Sequence, residues 1–391
     1  MSLFDDSQTA FEPKSDQELK KAKQLFQLMS QPLLTKMGAV FFELPFATDL
    51  PFVKTMIRRT IYQHFVGGET PTQCLKVAKE LHRYGVSSIM DYSVEGQEDE
   101  ASFDHVRDEI LSLIQIAKEN PEEVPFVVFK PTGFGRISLY EKVGLKQTMT
   151  AEEEQAWQNI RARIETVCQA AYDQKVLIMA DAEHSWMQDA ADDLMEEMMQ
   201  RFNQKECIVW STLQMYRHDR LAYLKQIHQK ASEAGYLLGF KIVRGAYMEL
   251  ERARAKEKGY QDPIQADKAS TDRDYNAALE FILSHHDRIS IFAGTHNEKS
   301  SELLIRLIDQ QSLNKASKGV WFGQLYGMSD NISFKLGSLG YNTSKYLPYG
   351  PIKKVMPYLI RRAQENTSVA GQTSRELLLI DDEIQRRKKI R

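Results

Sequence analysis

The sequence predicts an α/β protein, a (βα)8 TIM-type barrel preceded by an N-terminal helical arm. Three observations carry that expectation. Eight short apolar runs rich in β-branched residues recur between residues 86 and 349. Nearly continuous apolar runs suit strands buried on both faces, as in a parallel sheet. Amphipathic stretches of helical length separate the runs, and a barrel of eight such units needs roughly 250 residues. A doubly wound sheet with an extra domain is the rival, because it uses the same alternation.

Residues 1–18 are small, polar and acidic and read as a mobile tail. Residues 19–84 read as the helical arm. In ELKKAKQLFQLMSQPLL the residues Leu19, Ala22, Leu25, Phe26 and Met29 fall on one stripe at spacings of three and four. The barrel is expected over residues 85–372. Its strands are VSSIMDY (86–92), VPFVVFK (124–130), KVLIMADA (175–182), CIVWSTLQ (207–214), LLGFKIVR (237–244), RISIFAGT (288–295), GVWFGQLY (319–326) and KYLPY (345–349). TAEEEQAWQNIRARIETVCQAAYD and NEKSSELLIRLIDQQSLN are two of the intervening helices. The methionines of SWMQDAADDLMEEMMQ are read as core beside a solvated acidic face, with an interaction or membrane-near surface as the alternative. Residues 373–391 form a basic tail ending QRRKKIR, which is either solvated or in contact with anionic lipid.

Bulk properties narrow the classes. A net charge of −3 provides no basic field to gather nucleic acid. Three scattered cysteines, Cys74, Cys168 and Cys207, fit a reducing compartment better than a disulfide framework. No run reaches the ~18 apolar residues of a membrane span, and residues 1–17 resemble neither a secretory signal nor a transit peptide. The expected location is the cytoplasm, or a peripheral position on the inner face of the plasma membrane. GxGxxG after the first strand and GxxxxGK[ST] are absent, and no metal site is expected.

Barrel active sites lie at the C-terminal ends of the strands. The runs end in Asp91 with Tyr92, Lys130, Asp181, Gln214, Lys241 with Arg244, Thr295 with His296 and Asn297, Gln324, and Tyr346. After the last run, Gly350 and Pro351 are read as a turn and Pro357 as the opening residue of a helix. On that helix Tyr358, Arg361, Arg362 and Glu365 are spaced by three and four, which puts them on adjacent faces. Two guanidiniums at a barrel mouth can hold a carboxylate through bidentate bonds. A solvated arginine pair with an ion partner is the bland reading of the same residues.

The segment YLPYGPIKKVMPYLIRRAQEN (346–366) resembles the signature of the proline dehydrogenase family. LGFKIVRGAYMELERARA (238–255), FAGTHN (292–297), FGQLYGM (322–328), MADAE (179–183), STLQMY (211–216), HFVGGET (64–70) and MDYSVEG (90–96) resemble further blocks of that family, in its order. The resemblance implies a (βα)8 barrel with non-covalent FAD that oxidises L-proline to Δ1-pyrroline-5-carboxylate and passes electrons to a quinone. It implies that Arg361, Arg362 and Lys130 bind the substrate carboxylate, that Tyr346 and Tyr358 wall the ring, and that Tyr247 lies nearby. It places Asp181 and Ala182 beside the isoalloxazine, with Gln214 donating to the ring and Lys241, Val243, Arg244, Gly245 and Ala246 forming the fifth-strand turn that borders the cofactor. Asp181 and Arg244 are also taken as catalytic candidates. Thr295, His296, Asn297 and Gln324 join the cofactor set. Glu365 and Ser368 are assigned to the FAD tail, and Lys268 to its phosphates. Asp91 or Glu95 is read as a gate that pairs with Arg361 when substrate is absent. His184 is left as surface.

A tyrosine at 346, where hydroxyproline-oxidising relatives carry serine, favours proline over hydroxyproline. The chain is too short for a fused aldehyde dehydrogenase, so a monofunctional enzyme is expected, linked functionally to a separate pyrroline-5-carboxylate dehydrogenase. Two other readings stay open: an aldolase-type barrel with Lys130 or Lys241 as Schiff-base lysine, and a barrel kept only for binding.

Overall fold

Each of the eight apolar runs forms a strand. The strands are β1 (Ser87–Tyr92), β2 (Phe126–Phe129), β3 (Leu177–Ala180), β4 (Val209–Gln214), β5 (Leu238–Val243), β6 (Ile289–Gly294), β7 (Val320–Leu325) and β8 (Thr343–Tyr349). They close into a barrel in chain order, and the paired strands run parallel. The structure, a computed structural model, describes residues 2–31, 51–93, 98–368 and 372–390, without the side chains of 51, 363–368, 372 and 373. The chain forms two compact units, a terminal unit of residues 1–95 with 324–391 and a central unit of residues 96–323. The expected boundaries at 18, 84 and 372 do not follow this division.

In the central unit the helices are α5 (Glu100–Glu119), α6 (Ile137–Gly144), α7 (Ala151–Gln174), α8 (Ser185–Phe202), α9 (Arg220–Ala234), α10 (Met248–Lys258), α11 (Lys268–Ser284) and α12 (Glu298–Gln310). Local chemistry starts and stops them. Thr150 and Glu153 close a capping box at the start of α7, and Lys175 ends it in the left-handed conformation. The strands bury aromatic rings inside. Phe126 makes edge-to-face contacts with Trp210, Phe292 and Trp321 at 5.2, 5.5 and 5.2 Å, a geometry favoured by the ring quadrupoles. Gly323 makes room for this cluster, since a Cβ there would lie 2.1 Å from the Phe292 ring. On α8 the methionines 187, 195, 198 and 199 are buried, as expected. Its acidic face is only partly solvated, because Asp192 is buried against Arg220 at 2.6 Å.

The terminal unit holds α1 (Ser7–Phe11), α2 (Asp16–Met29), α3 (Pro51–Ile57), α4 (Pro71–His82), α13 (Asp330–Ser338), α14 (Ile352–Ser368) and α15 (Gln372–Ile390). The α2 stripe is buried at Leu19, Ala22, Phe26 and Met29, with Leu25 packed beside it. Two expectations are corrected here. Residues 2–18 are not a loose tail. Phe4 and Phe11 are buried, Asn331 donates to the Phe4 carbonyl at 3.2 Å, and Arg375 pairs with Asp5 at 2.6 Å. The basic C-terminus is likewise a packed helix. Leu379 and Ile380 are buried, and Arg387 donates to the Phe11 and Lys14 carbonyls at 2.8 Å and to Asp16 at 2.9 Å. These partners are distant in sequence, so local composition does not announce them.

Beneath them lies a buried charge cluster. Lys345, fully buried on β8, pairs with Asp330 at 2.8 Å and donates to the Met328 carbonyl. Asp330 also takes Lys14, and Glu376 on α15 accepts the Ser329 amide. Burial, and secondly the Asp330 charge, raise the Glu376 pKa to about 7.

Candidate functional site

In the central unit the strand ends build two connected groups. The first joins β3, β4 and β5. The Asp181 carboxylate pairs with Lys241 Nζ, and the Ala182 carbonyl accepts from Gln214 Nε2 at 3.4 Å. Gln214 is 2% exposed, and its Oε1 has no hydrogen-bond partner among the described residues. A buried acceptor left unmade is costly, so this atom marks a place where a donor belongs.

The second group joins β5, β6 and their helices. Arg244 donates to Asp272 at 2.6 Å, Thr295 Oγ1 at 2.8 Å and Ser300 Oγ at 3.1 Å, and lies 4.4 Å from the centre of the Tyr275 ring. Asp272 also takes Lys268, which is exposed at the start of α11. Burial works against the Asp272 carboxylate, but Lys268 and Arg244 outweigh it and hold its pKa below the usual value. The Thr295 amide donates to the Gly323 carbonyl at 3.0 Å. Asn297 is the N-cap of α12, accepting from the Ser300 amide at 3.1 Å, and Thr295 Oγ1 accepts from the Asn297 amide at 3.1 Å. In this triplet two side chains therefore hold the turn, and half-buried His296 lies between them.

The turn after β5 is held from β4. Met215 and Tyr216 amides donate to the Val243 and Arg244 carbonyls at 2.8 and 2.7 Å. Gly245 has φ 138°, and a Cβ there would sit 2.5 Å from the Tyr216 ring. Backbone conformation and Tyr216 thus already account for glycine at this position. Ala246 beside it is exposed.

Sequence reasoning missed a stack at this end. Half-buried His184 lies 4.3 Å from Trp186 with ring planes 10° apart, and 4.5 Å from Tyr247. Arg254 covers Trp186 at 4.3 Å and pairs with Glu141 on α6. His184 is therefore a half-buried packing partner of Tyr247 rather than an exposed side chain. Fully buried Glu251 accepts from the Ser185 amide and hydroxyl, tying the β3 exit to α10. The one signal for this link was Glu251, the second of the two glutamates in the 238–255 block.

At the end of β2, half-buried Lys130 precedes the 3-10 turn Pro131–Gly133, whose Thr132 is bound by buried Glu183.

In the terminal unit, Tyr346 on β8 and Tyr358 and Arg362 on α14 are buried, at 8%, 7% and 6% exposure, and Arg361 is half-buried. The Arg362 guanidinium carbon lies 5.2 Å from the Tyr358 ring centre. The Tyr346 carbonyl accepts from the Tyr326 amide at 2.9 Å. Buried Gln324 accepts the Ser333 hydroxyl at 2.7 Å, and Asp91 accepts that of Ser93 at 2.5 Å. Glu95 and the side chains of Glu365 and Ser368 lie outside the described residues. One expectation is corrected: α14 starts at Ile352, after the Gly350–Pro351 turn, so Pro357 sits inside the helix. Among the described residues no three potential metal ligands converge, and no helix is long and apolar enough to cross a membrane.

Residues 74–375 match the family described as proline dehydrogenase. A carbapenem antibiotics biosynthesis protein of Pectobacterium carotovorum subsp. carotovorum is 36% identical over 83% of each chain. The mitochondrial proline dehydrogenase 1 of Homo sapiens is 37% identical over 62% of this chain and 41% of its own length. A hydroxyproline dehydrogenase of Xenopus laevis is 34% identical over 71% of this chain and 60% of its own. The match thus spans under two thirds of the human and frog proteins. Among solved structures, proline utilization A from Bdellovibrio bacteriovorus, inactivated by N-propargylglycine, shares the fold with a TM-score of 0.73 at 18% identity, over 93% of this chain and 38% of that one.

Proposed function

The chain belongs to the proline dehydrogenase family, and we propose that it is an FAD-dependent enzyme that oxidises L-proline to Δ1-pyrroline-5-carboxylate and passes the electrons to a quinone. The family match over residues 74–375 carries this reading. When bound, FAD would supply the hydride acceptor for proline C5.

The residues present fit such a group. Gln214 Oε1 is a buried acceptor in need of a donor, and the isoalloxazine ring has one N–H. The expectation made Gln214 a donor, but its Nε2 faces the Ala182 carbonyl, so acceptance is the role proposed. Asp181 and Lys241 would lie beside the ring as a neutral pair, and Val243, Gly245 and Ala246 would border it. His296 and Gln324 would contribute further contacts, and Glu365, Ser368 and Lys268 are assigned to the rest of the cofactor. Asn297 and Thr295 would act by shaping the turn.

For the substrate, Arg361 and Arg362 would bind the carboxylate, with Lys130 as a third cationic contact. Fixing one end of a small ring orients the carbon that reacts. Proline nitrogen must lose its proton before hydride leaves, and nearby positive charge favours the neutral amine. Arg244 adds little to that field, because Asp272 matches its charge. Tyr346 and Tyr358 would wall the ring, with Tyr247 as a further contact. The product would pass to a separate pyrroline-5-carboxylate dehydrogenase, and reaching a lipid-soluble quinone would bring the protein to a membrane surface.

Hydroxyproline is the second substrate to test, given the frog relative. The aldolase-type reading loses ground, because Lys241 is engaged by Asp181.

A visible spectrum of the purified protein before and after anaerobic L-proline tests the proposal. A yellow protein that bleaches supports it. A colourless protein that takes up no FAD overturns it.

A further inference from the structure

Glu183, at the exit of β3, is 6% exposed, and no step proposed above uses it. A buried carboxylate is costly to keep unless it is fully hydrogen-bonded. Each of its oxygens accepts one bond from Thr132. Oε2 accepts from the Thr132 amide at 3.0 Å, and Oε1 from the Thr132 hydroxyl at 2.7 Å. Thr132 sits in the 3-10 turn Pro131–Gly133, and the Gly133 amide closes that turn on the Lys130 carbonyl at 2.9 Å. Two charge-assisted bonds to one residue fix its place and its rotation together.

Glu183 is itself held. Its amide donates to Gln188 Oε1 at 3.1 Å, Gln188 Nε2 donates to Asp192 Oδ1 at 2.8 Å, and Asp192 Oδ2 accepts from Arg220 at 2.6 Å. Gln188, Asp192 and Arg220 are all buried. A satisfied buried network of this kind rigidifies what it touches.

We propose that Glu183 is a positioning residue for Lys130. Its carboxylate clamps the turn after β2, so that the lysine preceding the turn is presented in one orientation. The proposal rests on Lys130 being a substrate contact, and it predicts an effect on substrate binding more than on turnover.

The test compares the full-length holoenzyme with Glu183→Gln, Thr132→Val, Lys130→Met and the Glu183→Gln/Lys130→Met double variant. Glutamine keeps the shape but sets an amide donor against one of the two Thr132 donors. Valine keeps the Thr132 amide bond and deletes the hydroxyl. Glu183→Gln should raise KM for L-proline about tenfold with kcat nearly unchanged, and Thr132→Val should do the same by about threefold. In the Lys130→Met background Glu183→Gln should have almost no further effect, because coupled residues are not additive. Free-energy effects that simply add, or a loss confined to kcat, overturn the proposal. Hydrogen exchange of the peptide around residues 129–134 is a readout that needs no substrate. Faster exchange in Glu183→Gln is expected, and unchanged exchange overturns the clamp. If the wild type fails to oxidise proline, the functional reading fails, while the exchange result still judges the clamp.

Discussion

Arg362 lies over the ring of Tyr358, one helical turn earlier on α14, with its guanidinium carbon 5.2 Å from the ring centre. The pair is buried, at 6% and 7% exposure, which separates it from a solvated surface arginine. A guanidinium binds a carboxylate through two parallel bonds from a rigid planar fork, which an ammonium cannot reproduce. Arg362→Lys keeps the charge and loses the fork. It should raise KM for L-proline by about 10–100-fold, roughly 1.4–3 kcal/mol, with the flavin spectrum unchanged. Steady-state kinetics measure this, and an unaltered KM would place the carboxylate elsewhere.

Gln214 leads to a prediction about the cofactor alone. Gln214→Leu keeps approximate volume and removes the buried acceptor, so free protein loses an unsatisfied atom while the holoprotein loses a bond. FAD affinity of the apoprotein should fall by about tenfold, near 1.4 kcal/mol. Flavin fluorescence titration reads this without turnover. Equal affinity for variant and wild type would mean that Gln214 Oε1 faces something other than the flavin.

The barrel was legible because its strands are buried on both faces and so read as unbroken apolar runs. The run 237–244 became Leu238–Val243, and 319–326 became Val320–Leu325. What stayed hidden depends on partners far away in sequence. Phe4 and Phe11 look like scattered apolar residues in an acidic tail, until residues such as Asn331, Arg375 and Arg387 are seen to bind that segment. Pro357 read as a helix start, but the turn at Gly350, with φ 145°, leads straight into a helix that begins at Ile352. At the site, most strand-end positions followed from the apolar runs, although Tyr346 lies in the middle of β8 and not at its end. The partners that hold them did not, because Glu183, His184 and Glu251 act across elements.

Tyr346 invites a specificity swap. It is 8% exposed on β8, so a smaller side chain there vacates buried space. Tyr346→Ser should open space for a ring hydroxyl. The ratio of kcat/KM for trans-4-hydroxyproline to that for L-proline should rise by about 10–100-fold, a difference of a few kcal/mol typical of one pocket contact. Higher kcat/KM for trans-4-hydroxyproline in the unaltered enzyme would remove the premise.

The buried charge cluster yields a prediction on stability. Glu376 has its carboxyl pKa raised from 4.5 to about 7, by burial first and by Asp330 second. The folded chain therefore holds this proton more tightly than the unfolded chain. The sign follows: the group's contribution to stability is complete below pH 4.5 and is lost as pH rises through 7. Glu376→Gln is neutral throughout and can still accept the Ser329 amide, so it escapes that loss. Relative to wild type it should gain stability on the order of 1–3 kcal/mol between pH 5 and pH 8. Urea unfolding across that range measures the difference, and parallel stability curves would rule it out. Lys14 and Lys345 remain in both proteins, so the pH-dependent part of the difference belongs to the single carboxyl.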